Sequence, residues 1–198
     1  MPTTETRIRT ALFGGTFDPP HLGHLHLFHE ASLMTPVRKI IVIPANLSNF
    51  KRGTTPASFS DRLEMVHLLA EDYRVLYPDD EMELEISSYE GDKGDISYTS
   101  ETVRHFFPSI QTDGKVDLII GDDQLEKLSL WHDFDYLVSH ARFWCFSRHG
   151  GENRTKAEVI MIPSPVVDVS SSGIREGRET MLSQSVRKYI DDHKLYRT

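Results

Sequence analysis

The chain has 198 residues, with 22 Lys+Arg against 30 Asp+Glu and a formal charge of -8. That acidic balance argues against a non-specific nucleic-acid binder, which needs a basic surface to displace phosphate counterions, and leaves open a small anionic ligand held by a few local cations. One domain over residues 1–198 is expected from the length, no apolar run approaches the span of a bilayer, and Met1 to Arg9 lacks a signal-peptide core, so a cytoplasmic location is the expectation.

In chain order, Thr10 to Gly14 reads as a buried strand, Leu22 to Met34 as a helix by its three- and four-residue apolar spacing, and Lys39 to Pro44 as a second strand. Ala45 to Ala57, rich in Asn, Ser, Thr and Pro, is a loop. Ser60 to Tyr73 is the next helix, with Ser60 and Asp61 as capping oxygens. Strands follow at Met82 to Ile86, Val116 to Ile120, Arg142 to Ser147 and Val159 to Ile162, with a loop at Ser147 to Lys156. Helices are expected at Ser170 to Arg178 and Val186 to Leu195. Strand-like runs alternating with helical ones predict an α/β fold, a parallel sheet with helices on both faces. Cys145, alone in the run Arg142-Phe143-Trp144-Cys145-Phe146, is expected to be a core thiol without a disulfide partner.

The first strand runs into Gly14-Gly15, where main-chain N–H groups can approach a phosphate or the chain can simply turn tightly. Neither the dinucleotide fingerprint nor the P-loop pattern is present. Asp18-Pro19-Pro20 then makes a turn, and His21-Leu22-Gly23-His24 places two imidazoles on one helix face near the crevice where open α/β sheets bind ligands. Gly23 is expected to leave room for a bulky anion beside them. No metal site is expected. His29-Glu30 lacks the second histidine of H-E-x-x-H, no nearby Cys or carboxylate completes a tetrahedral set, and His26 and His29 are assigned to surface or packing roles. Near the other end, Ser170-Ser171-Ser172 at a helix start followed by Arg175 offers hydroxyls, exposed N–H groups and a planar cation, suited to capping or to binding phosphate.

Together, Gly14-Gly15-Thr16-Phe17-Asp18-Pro19-Pro20-His21-Leu22-Gly23-His24 resembles the G-[GS]-[TS]-F-D-P-x-H-x-G-H signature of the adenylyltransferases of cofactor biosynthesis. Val169-Ser170-Ser171-Ser172-Gly173-Ile174-Arg175 resembles their I-S-S-T-x-I-R element, with Val for Ile and Ser for Thr. The resemblance implies a Rossmann-like, doubly wound sheet. Ser97-Tyr98-Thr99, Glu101-Thr102, Ile119-Ile120-Gly121-Asp122-Asp123, Leu130-Trp131-His132 and the stretch from Val186 to Arg197 are similar in order and spacing to the bacterial nicotinate-nucleotide adenylyltransferases.

What the resemblance implies is transfer of the adenylyl group of ATP to nicotinate mononucleotide, giving deamido-NAD and pyrophosphate. Nicotinamide mononucleotide and phosphopantetheine are the alternative acceptors, and a catalytically silent nucleotide sensor is the alternative from another class. The implied ATP site comprises Gly14, Gly15, Thr16, Phe17, His21, His24, Gly121, Asp123, Ser170, Ser171 and Arg175, with Mg2+ accompanying the triphosphate. His21, His24, Lys51 and Arg175 would carry the chemistry, while Lys51, Thr99, Trp131 and His132 would receive the acceptor. Asp123 suits either a ribose hydroxyl or a loop anchor. In one place the chain departs from the family: Pro44-Ala45-Asn46-Leu47-Ser48-Asn49-Phe50-Lys51 stands where a segment ending Pro-Pro-His-Lys is usual, so only the lysine aligns.

Overall fold

The computed structural model describes residues 8–46, 57–147, 152–164 and 169–196. All six expected strands form, as β1 (Arg9–Gly15), β2 (Val37–Pro44), β3 (Glu83–Ile86), β4 (Val116–Gly121), β5 (Ala141–Ser147) and β6 (Glu158–Pro163). They make one parallel sheet in the order β3-β2-β1-β4-β5-β6. The chain winds outward in one direction from β1 and then returns to start again at β4, which places the topological switch point between these two strands. Their ladder pairs Ala11 with Asp117 and Leu12 with Leu118, whereas the strands run on to Gly15 and Gly121. Past Leu12 and Leu118 the two strands therefore part, and the crevice opens at their carboxyl ends.

Side chains alternate across the sheet, as the two-residue period of a strand requires. Ala11, Phe13, Ile40, Val42, Ile119 and Trp144 face one layer, packed by α1 (Leu22–Met34), α2 (Phe59–Leu76) and α8 (Gln184–Asp192) through Leu25, Phe28, Met65, Leu69, Tyr73 and Val186. Leu12, Ile41, Ile43, Leu118, Ile120, Phe143 and Cys145 face the other. That side is covered by α4 (Thr99–Phe106), α5 (Asp122–Leu125) and α6 (Phe134–His140), together with a 3-10 turn at Leu128–Leu130. The Rossmann-like arrangement is thus the one expected. Cys145 is fully buried, and that burial pushes its thiol up to about 11, so it stays protonated.

Several elements differ from expectation. The short helices α3 (Tyr89–Lys93), α4, α5 and α6 are not visible in the apolar spacing, because four to eight residues supply too few turns to show a period. The N-cap of α2 is Ser58, whose hydroxyl accepts the Asp61 N–H at 3.1 Å, rather than Ser60 or Asp61. Asp61 instead accepts hydrogen bonds from Ser58 Oγ and from Tyr189 Oη on α8. The helix expected from Ser170 stops at Arg175, as α7 (Ser171–Arg175). Among the described residues no helix is long and apolar enough to cross a membrane.

Candidate active site

At the end of β1 the backbone makes a kink that its neighbours hold in place. Phe17 adopts a left-handed backbone, φ 50°, a strained conformation for an aromatic residue that persists only where the surroundings impose it. Its ring is buried over Gly15, where a Cβ would lie 3.0 Å from it, and meets Phe13 and His24 at centroid distances of 5.6 and 4.9 Å. The carbonyl of Thr16 is held by Arg62 at 2.7 Å. Gly14 differs: it is exposed, and nothing lies within 4 Å of where a Cβ would stand, so its backbone faces open space at the mouth of the crevice.

His21 and His24 stack with ring centroids 3.8 Å apart at the start of α1. The His21 main-chain N–H donates to His24 Nδ1 at 3.0 Å, so Nδ1 is the acceptor nitrogen and the proton of the neutral ring sits on Nε2. Burial, reinforced by His21, holds His24 well below its ordinary value. At neutral pH it is an uncharged donor through Nε2–H. Gly23 does not leave an empty seat for an anion. A Cβ there would fall 2.8 Å from Val169 Cγ1 and 3.0 Å from His21 Nδ1, so the glycine admits protein atoms and lets the later serine segment pack against the first motif.

That packing is a latch between segments about 150 residues apart. Ser171 Oγ donates to the Pro19 carbonyl at 2.9 Å, Leu22 N–H donates to the Met181 carbonyl at 3.0 Å, and the Arg175 guanidinium donates to the Asp18 carbonyl. Arg175 also stands 3.4 Å from the Asp18 carboxylate and donates to Ser172 Oγ at 3.1 Å. Asp18, almost fully buried, further accepts from Tyr196 Oη at 2.7 Å and from the Ala57 N–H at 3.0 Å. Burial and this contact raise the Tyr196 phenol. Ser170 Oγ caps α7 by accepting the Gly173 N–H at 3.0 Å, and the Glu179 carboxylate accepts the Ser170 N–H at 2.5 Å. The expected serines therefore sit beside the turn, each with a protein partner.

The remaining expected residues fall into two groups. Gly121 ends β4 on the far side of the crevice and Asp123 lies in the first turn of α5, folded back so that a Cβ on Gly121 would fall 2.6 Å from its Oδ1. Thr99 opens α4, and Trp131 and His132 follow the 3-10 turn. Ser100 Oγ and His132 Nδ1 lie 3.2 Å apart, which brings these two stretches together. Trp131 is half-buried, its ring edge-on to Phe143 at 6.1 Å. Lys51 lies outside the described residues. His29 and His26 have the packing roles expected of them: His29 bonds Asp80 at 2.8 Å and stacks on Tyr77, and His26 stands 3.9 Å from Glu30.

Sequence reasoning overlooked Arg62, Tyr196 and the partnership of Asp18. Arg62 is buried and donates to the carbonyls of Thr16, Ala45, Asn46 and Ala57, tying the ends of β1 and β2 to the start of α2. A signal was present: Arg62 stands in register with Met65, Val66, Leu69 and Tyr73 on the apolar face of α2, where a charge needs a partner.

Comparison with known proteins agrees with this geometry. The cytidylyltransferase-like family matches residues 12–177. A probable nicotinate-nucleotide adenylyltransferase of Listeria monocytogenes is 33% identical over 196 residues, covering 95% of this chain and 97% of that protein. One from Methylacidiphilum infernorum is 32% identical over 200 residues, covering 96% and 93%. Among solved structures, a Plasmodium falciparum nicotinic acid mononucleotide adenylyltransferase complexed with NaAD shares the fold with a TM-score of 0.76 at 17% identity, covering 96% of this chain and 98% of that one. The chain belongs to the cytidylyltransferase-like family and, within it, to the nicotinate-nucleotide adenylyltransferases.

Proposed function

We propose that this enzyme joins the adenylyl group of ATP to nicotinate mononucleotide, releasing pyrophosphate and forming deamido-NAD. The single observation that carries the mechanistic reading is the latch of α7 onto the Asp18–Pro19 turn, which puts the His21–His24 pair and Arg175 on one side of the switch-point crevice. The Listeria relative and its kin supply the acceptor.

In the proposed step an oxygen of the acceptor phosphate attacks the α-phosphorus of ATP in line with the bridging oxygen to the β-phosphate. One P–O bond forms, one breaks, and pyrophosphate leaves with the bonding electrons. The attacking phosphate is already ionised at neutral pH, so no general base is needed; the protein's task is to position anions and stabilise charge. His24 suits this because it is a neutral, oriented Nε2–H donor, available to the α-phosphate without losing a proton. His21, Arg175 and Lys51 are assigned to the departing pyrophosphate. Gly14 and Gly15 allow the triphosphate to approach the main chain, with Thr16 and Phe17 shaping that turn, Ser170 and Ser171 completing the seat from α7, and Gly121 and Asp123 bordering it from the end of β4 and the start of α5. Thr99, Trp131 and His132 are assigned to the acceptor's pyridine ring and its carboxylate.

Magnesium fits as a companion of the triphosphate. Among the described residues no group of three or more His, Cys, Asp or Glu could hold a metal ion, and Mg2+ characteristically keeps several waters and binds through substrate phosphates. When bound there it would offset phosphate charge.

Initial rates of pyrophosphate release with ATP and each of nicotinate mononucleotide, nicotinamide mononucleotide and phosphopantetheine test the assignment. Nicotinate mononucleotide should be used most efficiently. A higher kcat/KM for another acceptor overturns the acceptor, and no pyrophosphate with any of them leaves the sensor.

A further inference from the structure

We infer that Ser100, with Tyr98, is a positioning residue for acceptor specificity, holding His132 so that the main-chain donors at Thr99 and His132 converge on a carboxylate. This rests on the nicotinate mononucleotide reading above. The two donors belong to segments that are far apart in the chain. Thr99 is the first residue of α4, so its N–H has no intrahelical acceptor. His132 lies in the irregular stretch between the 3-10 turn and α6, and among the described residues its N–H meets no main-chain acceptor.

The contacts that join these segments differ in place. Ser100, fully buried in the first turn of α4, meets His132 Nδ1 at 3.2 Å through its hydroxyl. The Tyr98 ring, at the N-cap of the same helix, stacks on the His132 imidazole with centroids 4.2 Å apart and planes at 20°. Farther along α4, Arg104 pairs with Asp133 at the solvent-exposed edge. The outer pair keeps the two elements adjacent. The inner pair holds the ring of His132, the residue whose main chain would meet the ligand.

The discrimination follows from donor and acceptor chemistry. A carboxylate accepts from two converging N–H groups at once, whereas a carboxamide turns its own NH2 toward one of them and leaves two donors opposed. That opposition holds only while the two N–H groups stay close together. Loosening His132 lets it retreat from an amide's NH2 and weakens its bond to a carboxylate, so the preference should narrow from both sides.

Steady-state kinetics with ATP and either acceptor, on the wild type, Ser100→Ala, His132→Ala, His132→Asn and the Ser100→Ala/His132→Ala double variant, test this. Ser100→Ala and His132→Ala should each raise the KM for nicotinate mononucleotide about tenfold, worth about 1.4 kcal/mol. The ratio of kcat/KM between nicotinate and nicotinamide mononucleotide should fall alongside, and in Ser100→Ala kcat and the KM for ATP should stay within about twofold of wild type. His132→Asn, whose amide can stand where imidazole Nδ1 stands, should recover most of the loss. The double variant should be no worse than the poorer single one, because both remove the same contact. An unchanged acceptor ratio in Ser100→Ala, additive losses in the double variant, or a parallel loss in ATP affinity and thermal stability overturns the inference alone. A wild-type enzyme without preference for the carboxylate acceptor overturns the parent reading, and this one with it.

Discussion

The two ends of the sheet each bury an aspartate among arginines, yet they are built for opposite purposes. At the amino end, Asp117 is 3% exposed and accepts from Arg9 Nε at 2.5 Å, Arg142 Nη1 at 3.2 Å and Trp144 Nε1 at 3.0 Å. Arg9 and Arg142 also reach Asp113, and Arg142 reaches Glu158, so the cations there are closed off by carboxylates of the protein itself. Burial raises the Asp117 carboxyl above its ordinary value, against the pull of Arg9 and Trp144. At the carboxyl end Asp18 is the buried carboxylate, and Arg175 beside it and Arg62 nearby bring two cations to it. Its other donors are a phenol and a main-chain amide. The backbone at Gly14 there opens onto space. One end is a finished ion network. The other is the end to which the proposed function assigns the triphosphate.

Substitutions that separate chemistry from stability would break or sharpen that contrast. His24→Ala should lower kcat by about a hundredfold or more per folded molecule, since removing one preorganised donor to a transition state typically costs about 3 kcal/mol, with a smaller loss of stability from the packing on His21 and Phe17. Near-normal turnover in the purified variant would end the role of His24 as a transition-state contact. Asp117→Ala should do the reverse. It leaves Arg9, Arg142 and the Trp144 indole facing a void, and removing one member of a buried ion network costs about 3 kcal/mol. Urea unfolding should show that loss while turnover per folded molecule holds. A matching fall in turnover would mean that the two ends are coupled.

The sequence made one end far more readable than the other. The strands announced themselves because residues such as Ile40 to Ile43 and Leu118 to Ile120 are apolar on both faces, a pattern that only a covered sheet explains. The turn after β1 was legible as a contiguous string, Gly14 to His24. What supports the turn was not, because its partners come from anywhere in the chain: Tyr196 reaches Asp18 across 178 positions, and Ser171 reaches Pro19 across 152. Gly23 shows the consequence. Read locally, a missing side chain suggested room for a ligand, but the space belongs to Val169, which no local pattern places there. The ion network at the amino end was invisible for the same reason, since Arg9, Asp117 and Arg142 meet only when β1, β4 and β5 are aligned. Arg62 was the exception, a charge on the apolar stripe of α2 that local spacing alone could have flagged.

The smallest expected effect concerns the proton that His24 does not carry. Its folded value lies well below the ordinary 6.5, through burial and then the neighbouring His21. Between that depressed value and about 6.5, the unfolded chain binds a proton that the folded one excludes, so stability rises with pH across this window and is lost as pH falls through it. One such group contributes at most about 1.4 kcal/mol per pH unit, and about 1 between pH 6.5 and 5.5, because the unfolded imidazole is only half protonated at the upper limit. His24→Asn keeps an acceptor for the His21 N–H but cannot titrate. Urea midpoints at pH 6.5 and 5.5 should therefore show the wild type losing about 1 kcal/mol more than the variant over that interval. Parallel losses would mean that His24 is protonated in the folded enzyme. The neutral donor assigned to the α-phosphate would then be a cation, and the carboxyl end would carry one more positive charge than the geometry gives it.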